Sequence, residues 1–260
     1  MNFDLNGKRA FVCGGSQGIG RAIAIELANM GAEIILLARN EVDLEKLATS
    51  LPGNKKHGYI ICDFDNPEEL KKIAENFVAQ KGPVHILINN SGGPPSGAIT
   101  KAKTEEFELA FKRHLICNQI LAQTLLGGMK NSGYGRIVNV ISTSVKQPLK
   151  NLGVSNTIRA AVANWSKTWS NEVAPFGITV NNVLPGATKT ARLQSIINQK
   201  AMSLGISIEK AEAEMIEEIP MNRFASPEEI ANAVAFLASP AAAYITGINI
   251  PVDGGRTSSL

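Results

Sequence analysis

The sequence predicts an α/β protein: a doubly wound parallel sheet of about seven strands with helices on both faces. Three observations predict it. Short aliphatic runs alternate with longer stretches of helical period along all 260 residues. The short runs are continuously apolar, the mark of strands covered on both faces. Glycine and polar residues gather just after the strands, at Gly14, Arg39, Asp63, Asn89, Ser142 and Pro185. That is the edge where doubly wound sheets bind ligands.

The first strand is the apolar run after Lys8-Arg9, ending at Cys13. A glycine turn, Gly14 to Gly20, leads to a helix over Arg21–Met30 closed by Gly31. Strand, glycine turn and helix suit a dinucleotide pyrophosphate, because glycine lets backbone approach the phosphates and the helix N-terminus offers free N–H groups. The spacing Gly14, Gly18, Gly20 also fits tight strand-to-helix packing alone, so the rest of the chain has to support the binding role.

Glu33–Ala38 reads as the second strand, ending at Arg39-Asn40, and its helix stops at Pro52-Gly53. Tyr59–Cys62 is the third, ending at Asp63. Asn66-Pro67-Glu68-Glu69 starts a helix, with a cap, proline at N1 and acids in the first turn. Val84–Ile88 is the fourth strand. After Asn89-Asn90-Ser91-Gly92-Gly93, a Gly/Pro-rich loop (92–97) precedes a long helix from Thr104. Arg136–Ile141 is the fifth strand, ending at Ser142. A long helix over Leu152–Val173 breaks at Pro175 and Gly177. Ile178–Val183 is the sixth strand, ending at Pro185-Gly186. Two short helical patterns follow, and 191–218 reads as an apolar helical lid. Ser226-Pro227-Glu228-Glu229 starts the last helix, and Asn249–Val252 the last strand. No linker, repeat or low-complexity tract interrupts 1–260, which therefore reads as a single dinucleotide-binding domain.

Composition excludes several classes. With 26 Lys and Arg against 23 Asp and Glu, net charge is +3. The basic residues are scattered and aromatics few, so no nucleic-acid surface is expected. No apolar run approaches a membrane span, and the first residues carry no leader pattern, so no membrane partner is expected. Cys13, Cys62 and Cys117 are isolated, which points to a reducing, cytoplasmic setting. Three His and three Cys at unrelated spacings offer no metal site.

Taken together, these stretches resemble the short-chain dehydrogenase/reductase family across essentially the whole chain. Its T-G-x-x-x-G-x-G loop appears as Cys13-Gly14-Gly15-Ser16-Gln17-Gly18-Ile19-Gly20, and its N-N-A-G as Asn89-Asn90-Ser91-Gly92. Its P-G-x-x-x-T appears as Pro185-Gly186-Ala187-Thr188-Lys189-Thr190. The resemblance implies a Rossmann-type fold and a cofactor contacted by Gly14, Ser16, Gln17, Gly18, Ile19, Gly20, Asp63, Asn90, Pro185, Gly186, Thr188 and Thr190. At the end of the second strand, Ala38 stands where an acid would bind an NAD ribose, and Arg39 follows. A guanidinium there pairs with a 2′-phosphate, so the expected cofactor is NADP(H), with NAD(H) the alternative.

The family's proton chemistry uses Asn, Ser, Tyr and Lys. Ser142 fits the Ser. Counting on from it, the Tyr position holds Ser155 and the Lys position Arg159, while the Asn position holds His114. A serine hydroxyl is a far weaker acid than a phenol, whose pKa is about 10. Arg159 can hydrogen-bond a ribose but cannot release a proton. Lys146, in the loop after Ser142, and His114, on the long helix, are the substitutes for the missing acid. The pattern also resembles a divergent β-ketoacyl-acyl-carrier-protein reductase-like subgroup that lacks the Tyr and Lys.

Two readings follow. One is an NADP(H)-dependent carbonyl reductase or alcohol dehydrogenase, 3-oxoacyl-acyl-carrier-protein reductase-like, with a non-standard proton donor. The other is a non-catalytic NADP(H)-binding regulatory or scaffold protein. A weaker third uses Ser155 or Cys117 as a nucleophile. The helices 104–131 and 152–174 resemble the family's dimerising pair. With Trp165 and Trp169 at i, i+4, they point to a homo-oligomer, a dimer or tetramer.

Overall fold

The computed structural model describes residues 1–259. Its strands are β1 (Arg9–Cys13), β2 (Glu33–Ala38), β3 (Gly58–Ile61), β4 (Ile86–Asn89), β5 (Gly135–Val140), β6 (Ile178–Pro185) and β7 (Asn249–Val252). Its helices are α1 (Gly18–Asn29), α2 (Glu41–Ser50), α3 (Pro67–Lys81), α4 (Thr104–Phe111), α5 (Cys117–Ser132), α6 (Gly153–Val173), α7 (Ala191–Leu204), α8 (Ile208–Glu217) and α9 (Pro227–Ala238). The strands form one parallel sheet in the order β3-β2-β1-β4-β5-β6-β7. The order reverses between β1 and β4, and a crevice opens at that switch point.

Two apolar layers sandwich the sheet. On one face α1, α2 and α9 pack Ile23, Leu27, Leu44 and Val234 against Val12, Leu36 and Ile88. On the other, α3 and α5 pack Leu70, Leu121 and Leu125 against Phe11, Leu37 and Leu87. A third, small cluster of Leu193, Ile197, Ala201, Ala211, Ile219 and Phe224 holds α7 and α8 together. The lid expected over 191–218 is thus a miniature core of its own. It is fastened at its base, where Lys189 N donates to Ala225 O at 2.9 Å and Ala225 N to Ala187 O at 3.0 Å.

Three sequence expectations are adjusted. The long helix from Thr104 is interrupted by a π-helical turn, Lys112–Ile116, which turns His114 inward. The sixth strand runs two residues further, to Pro185, because Leu184 and Pro185 still pair with Pro251 and Val252 of β7. The fourth starts at Ile86, where pairing with Ala10 of β1 begins.

A ladder of amides, three of them buried, crosses four strands. Asn89 Nδ2 donates to Asn139 Oδ1, Asn139 Nδ2 to Asn182 Oδ1, and Asn182 Nδ2 to Asn249 Oδ1, each at 2.8 Å. These residues are register partners on β4, β5, β6 and β7. Each amide satisfies its neighbour, so the sheet carries polar groups inside without leaving most of them unpaired. The ladder lies directly beneath the strand ends that carry Asn90, Ser142 and Pro185.

Candidate active site

The C-terminal strand ends open into a cleft of about 1380 Å³. Pockets for a single small ligand run to roughly 300–1,000 Å³, so this cleft exceeds the usual single-ligand range. Gly14, Ser16, Gln17, Gly18, Ile19, Asn90, Pro185, Gly186, Thr188 and Thr190 all line it. Asn90 spans the switch point, its Nδ2 donating to Cys13 O at 3.2 Å.

The glycine loop fits a pyrophosphate on structural grounds. Gly14 and Gly18 hold φ of +58° and +52°, a region L side chains rarely adopt. A Cβ on Gly14 would lie 2.5 Å from Asn90 O. In helices α2, α3, α7, α8 and α9 the N-cap side chain, of Asn40, Asn66, Thr190, Ser207 and Ser226 respectively, accepts a first-turn backbone N–H. The N-cap of α1, Gln17, makes no such bond, and no acid lies in its first turn. Its free N–H groups and positive dipole end face the cleft as a ready anion site. Gly20 is the exception among the expected contacts, because it lies behind the wall. A Cβ there would meet Gly14 O at 2.1 Å, so this glycine permits the loop to pack on the helix and does not itself face a ligand.

Arg39 and Asp63 also line the cleft, at the ends of β2 and β3. Arg39 is exposed and makes no ion pair among the described residues. Asp43 stands nearby, and its carboxylate accepts from Asn40 Nδ2 at 2.7 Å.

Of the five expected catalytic residues, the fold brings Ser142, Ser155 and Arg159 to the cleft wall. Ser142 Oγ accepts the Ser144 amide at 3.1 Å, which leaves its own hydroxyl hydrogen free to donate. Arg159 is only 8% exposed. Nη1 donates to Val140 O at 3.2 Å, while Nε has no partner among the described residues. Burial, and then the charge of Arg192, lower its pKa to about 10, so it stays protonated at neutral pH.

Lys146 departs from expectation. The 3₁₀ turn Thr143–Val145 carries it off the wall, and Gln147 and Pro148 line the cleft instead. His114 does not line the cleft either, but it sits one residue behind it. Its Nδ1 lies 2.7 Å from Oγ of Ser91, which does line the cleft. Burial, with Arg159 and Arg113 nearby, pushes its pKa well below 6.5, so the ring is neutral. Cys117 is no nucleophile: burial pushes its thiol up to about 12, and its Sγ donates to Phe64 O at 3.3 Å. Tyr134, at the opposite edge of the sheet, donates its hydroxyl to Ala238 O at 2.6 Å. No metal-binding cluster and no helix long and apolar enough to cross a membrane occur among the described residues.

Two wall residues were missed from sequence, Ser91 and Arg192. Ser91 stands for Ala in the N-N-A-G pattern, a polar departure beside the site. Arg192 follows Thr190 by two, at the start of the lid helix, and position alone does not reveal that it turns back toward the 92–97 loop.

A doubly wound sheet with an uncapped glycine-loop helix at its switch point is a dinucleotide-binding fold. Residues 14–257 match the family described as Enoyl-(Acyl carrier protein) reductase. The chain is 32% identical over 256 residues to the NADPH-dependent reductase BacG of Bacillus subtilis, covering 97% of this chain and 99% of that one. It is 35% identical over 254 residues to the 3-oxoacyl-[acyl-carrier-protein] reductase FabG of Vibrio cholerae, covering 97% and 98%. Among solved structures, L-sorbose reductase from Gluconobacter frateurii, complexed with NADPH and L-sorbose, superposes with a TM-score of 0.91. It is 32% identical, with both chains covered completely. The chain belongs to the short-chain dehydrogenase/reductase family.

Proposed function

We propose that the protein is an NADP(H)-dependent oxidoreductase that interconverts a small carbonyl compound and its alcohol, with a proton route that uses neither Tyr nor Lys. One observation carries this reading. The uncapped α1 N-terminus and the unpaired Arg39 lie along the same cleft as a serine hydroxyl free to donate. The NADPH-dependent reductases among its relatives support the cofactor. The loop amides would hold the pyrophosphate and Arg39 the 2′-phosphate. When bound, the reduced nicotinamide supplies the hydride.

Ser142 donates to the substrate oxygen and polarises the carbonyl. Ser155 is too weak an acid to replace a phenol, and Arg159 keeps its protons. The proton therefore comes from water in the cleft, relayed to the substrate oxygen through the Ser142 hydroxyl, while the neutral His114 ring orients the Ser91 hydroxyl on the same wall. The outer faces of α5 and α6 form a second contact surface. There Trp165 and Trp169 both donate to Gln119 Oε1, at 2.7 and 2.9 Å, and border a shallow groove. We assign this face to pairing with another copy of the chain, which light scattering would register as a dimer or tetramer.

The test is NADPH oxidation against a panel of small ketones and oxo acids. His114→Asn, which removes the ring that orients Ser91, should lower turnover by less than the about 10²-fold expected of a lost acid–base group. Lys146→Ala should retain it. Tight NADPH binding with no oxidation of any carbonyl would select the non-catalytic reading instead.

A further inference from the structure

Arg159 and Arg192 approach the same small volume from opposite walls. Arg159 comes from the sheet side, on α6. Arg192 comes from the lid, on α7, where its Nη2 donates to Pro94 O at 2.7 Å. A Cβ built on Gly93 would lie 3.7 Å from Nη2 of Arg159 and 4.0 Å from Nη2 of Arg192. The two guanidiniums therefore flank one turn of the 92–97 loop.

Neither cation has a carboxylate partner among the described residues. The acids of the cleft wall are placed elsewhere. Asp43 and Asp63 lie by β2 and β3, and Glu218 is paired with Arg256. Two adjacent cations repel, and a buried guanidinium with an unpartnered Nε carries an uncompensated desolvation cost. Arg159 meets both conditions, and Ser96 Oγ on the same loop is likewise buried without a partner. Lys101 and Lys150 add positive charge along the same cleft. Ser155, with its short side chain, stands one helical turn before Arg159, and both residues line the cleft.

We propose that the substrate carries a carboxylate, gripped by Arg159 and Arg192 beside the reacting carbonyl, so that the natural substrate is an oxo acid or hydroxy acid. The proposal rests on the reading of this cleft as an oxidoreductase site. Planar guanidiniums suit a carboxylate because each offers paired N–H donors to its two oxygens.

Hexanoate and hexanamide test it, because they match in shape, differ in charge and cannot react. Their affinities are measured by calorimetry on the full-length protein, cofactor-free and saturated with NADP+, with the NADPH affinity of the same samples recorded alongside. Hexanoate should bind at least about tenfold more tightly than hexanamide, the scale of one charge-assisted hydrogen bond. Arg192→Gln should bring the two within about twofold. Arg192→Lys should keep part of the preference, because charge survives while the paired geometry is lost. Equal affinities in the native protein, or a preference that persists in both Arg192→Gln and Arg159→Gln, overturn the proposal. So does loss of NADPH affinity in Arg192→Gln without any carboxylate preference in the native protein, which would make the pair a cofactor clamp. Failure to bind NADPH with the hexanoate preference intact would instead sink the oxidoreductase reading and leave the anion site standing.

Discussion

Asn139→Ala tests whether the amide ladder holds the strand ends beneath the cleft. The side chain is fully buried and makes two bonds of 2.8 Å, accepting from Asn89 and donating to Asn182. Its removal strands one donor and one acceptor, on residues 3% and 2% exposed. Each orphaned group costs about 1–3 kcal/mol, so the expected loss is about 2–6 kcal/mol, out of a total stability of about 5–15 kcal/mol. Equilibrium urea unfolding should show a lower midpoint at unchanged slope. Asn139→Asp should be at least as damaging. A carboxylate cannot donate to Asn182, and its charge would be buried without a cation. Gln194→Ala, which removes an exposed bond to Asn198 on α7, is the control and should change stability by no more than about 0.5 kcal/mol. A loss below about 1 kcal/mol for Asn139→Ala would refute the view that its two buried amide bonds hold the strand ends in place.

Arg39→Ser should weaken NADPH binding about 10-fold or more while leaving NADH nearly unaffected, because only the 2′-phosphate loses a partner; fluorescence titration of both cofactors reads this out. Gly20→Val should weaken NADPH and NADH alike, since its Cβ would press within 2.1 Å of Gly14 O and displace the loop; an equal shift in both titrations is the signature. His114 predicts a pH effect on stability. Its folded pKa is depressed by burial and then by Arg159, so below 6.5 the unfolded chain takes up a proton that the native state resists. Stability should therefore fall as pH drops below 6.5. Thermal melts of His114→Asn should show a shallower decline over pH 6.5 to 5, and parallel curves would count against a buried neutral ring.

The order of elements, the position of the cleft and many of the residues that line it were legible in the sequence. Each rests on short-range rules: aliphatic runs make strands, capping residues open helices, and glycine permits the turn at Gly14. Departures from the family pattern at Ser155, Arg159 and His114 were legible too, because counting along the chain needs no third dimension. Lys146 and Gln147 were not separable this way. Which of two neighbours faces a cleft depends on how a three-residue turn is rotated, and the packing of Thr143 and Ser144 decides that. Gly20 lies in the same loop as its companions, yet only the close contact with Gly14 O assigns it to packing. The π-helical turn that brings His114 to Ser91 is invisible to a periodicity of 3.6 residues. The amide ladder needs the register of four strands, and the Arg159–Arg192 pair needs the lid folded back over the sheet. By itself the sequence determined that this chain builds a dinucleotide cleft, since local pattern dictates where backbone turns and where glycine must stand. Tertiary structure alone decided which charges meet inside that cleft, because residues far apart in sequence come together only when register and lid packing set their distance.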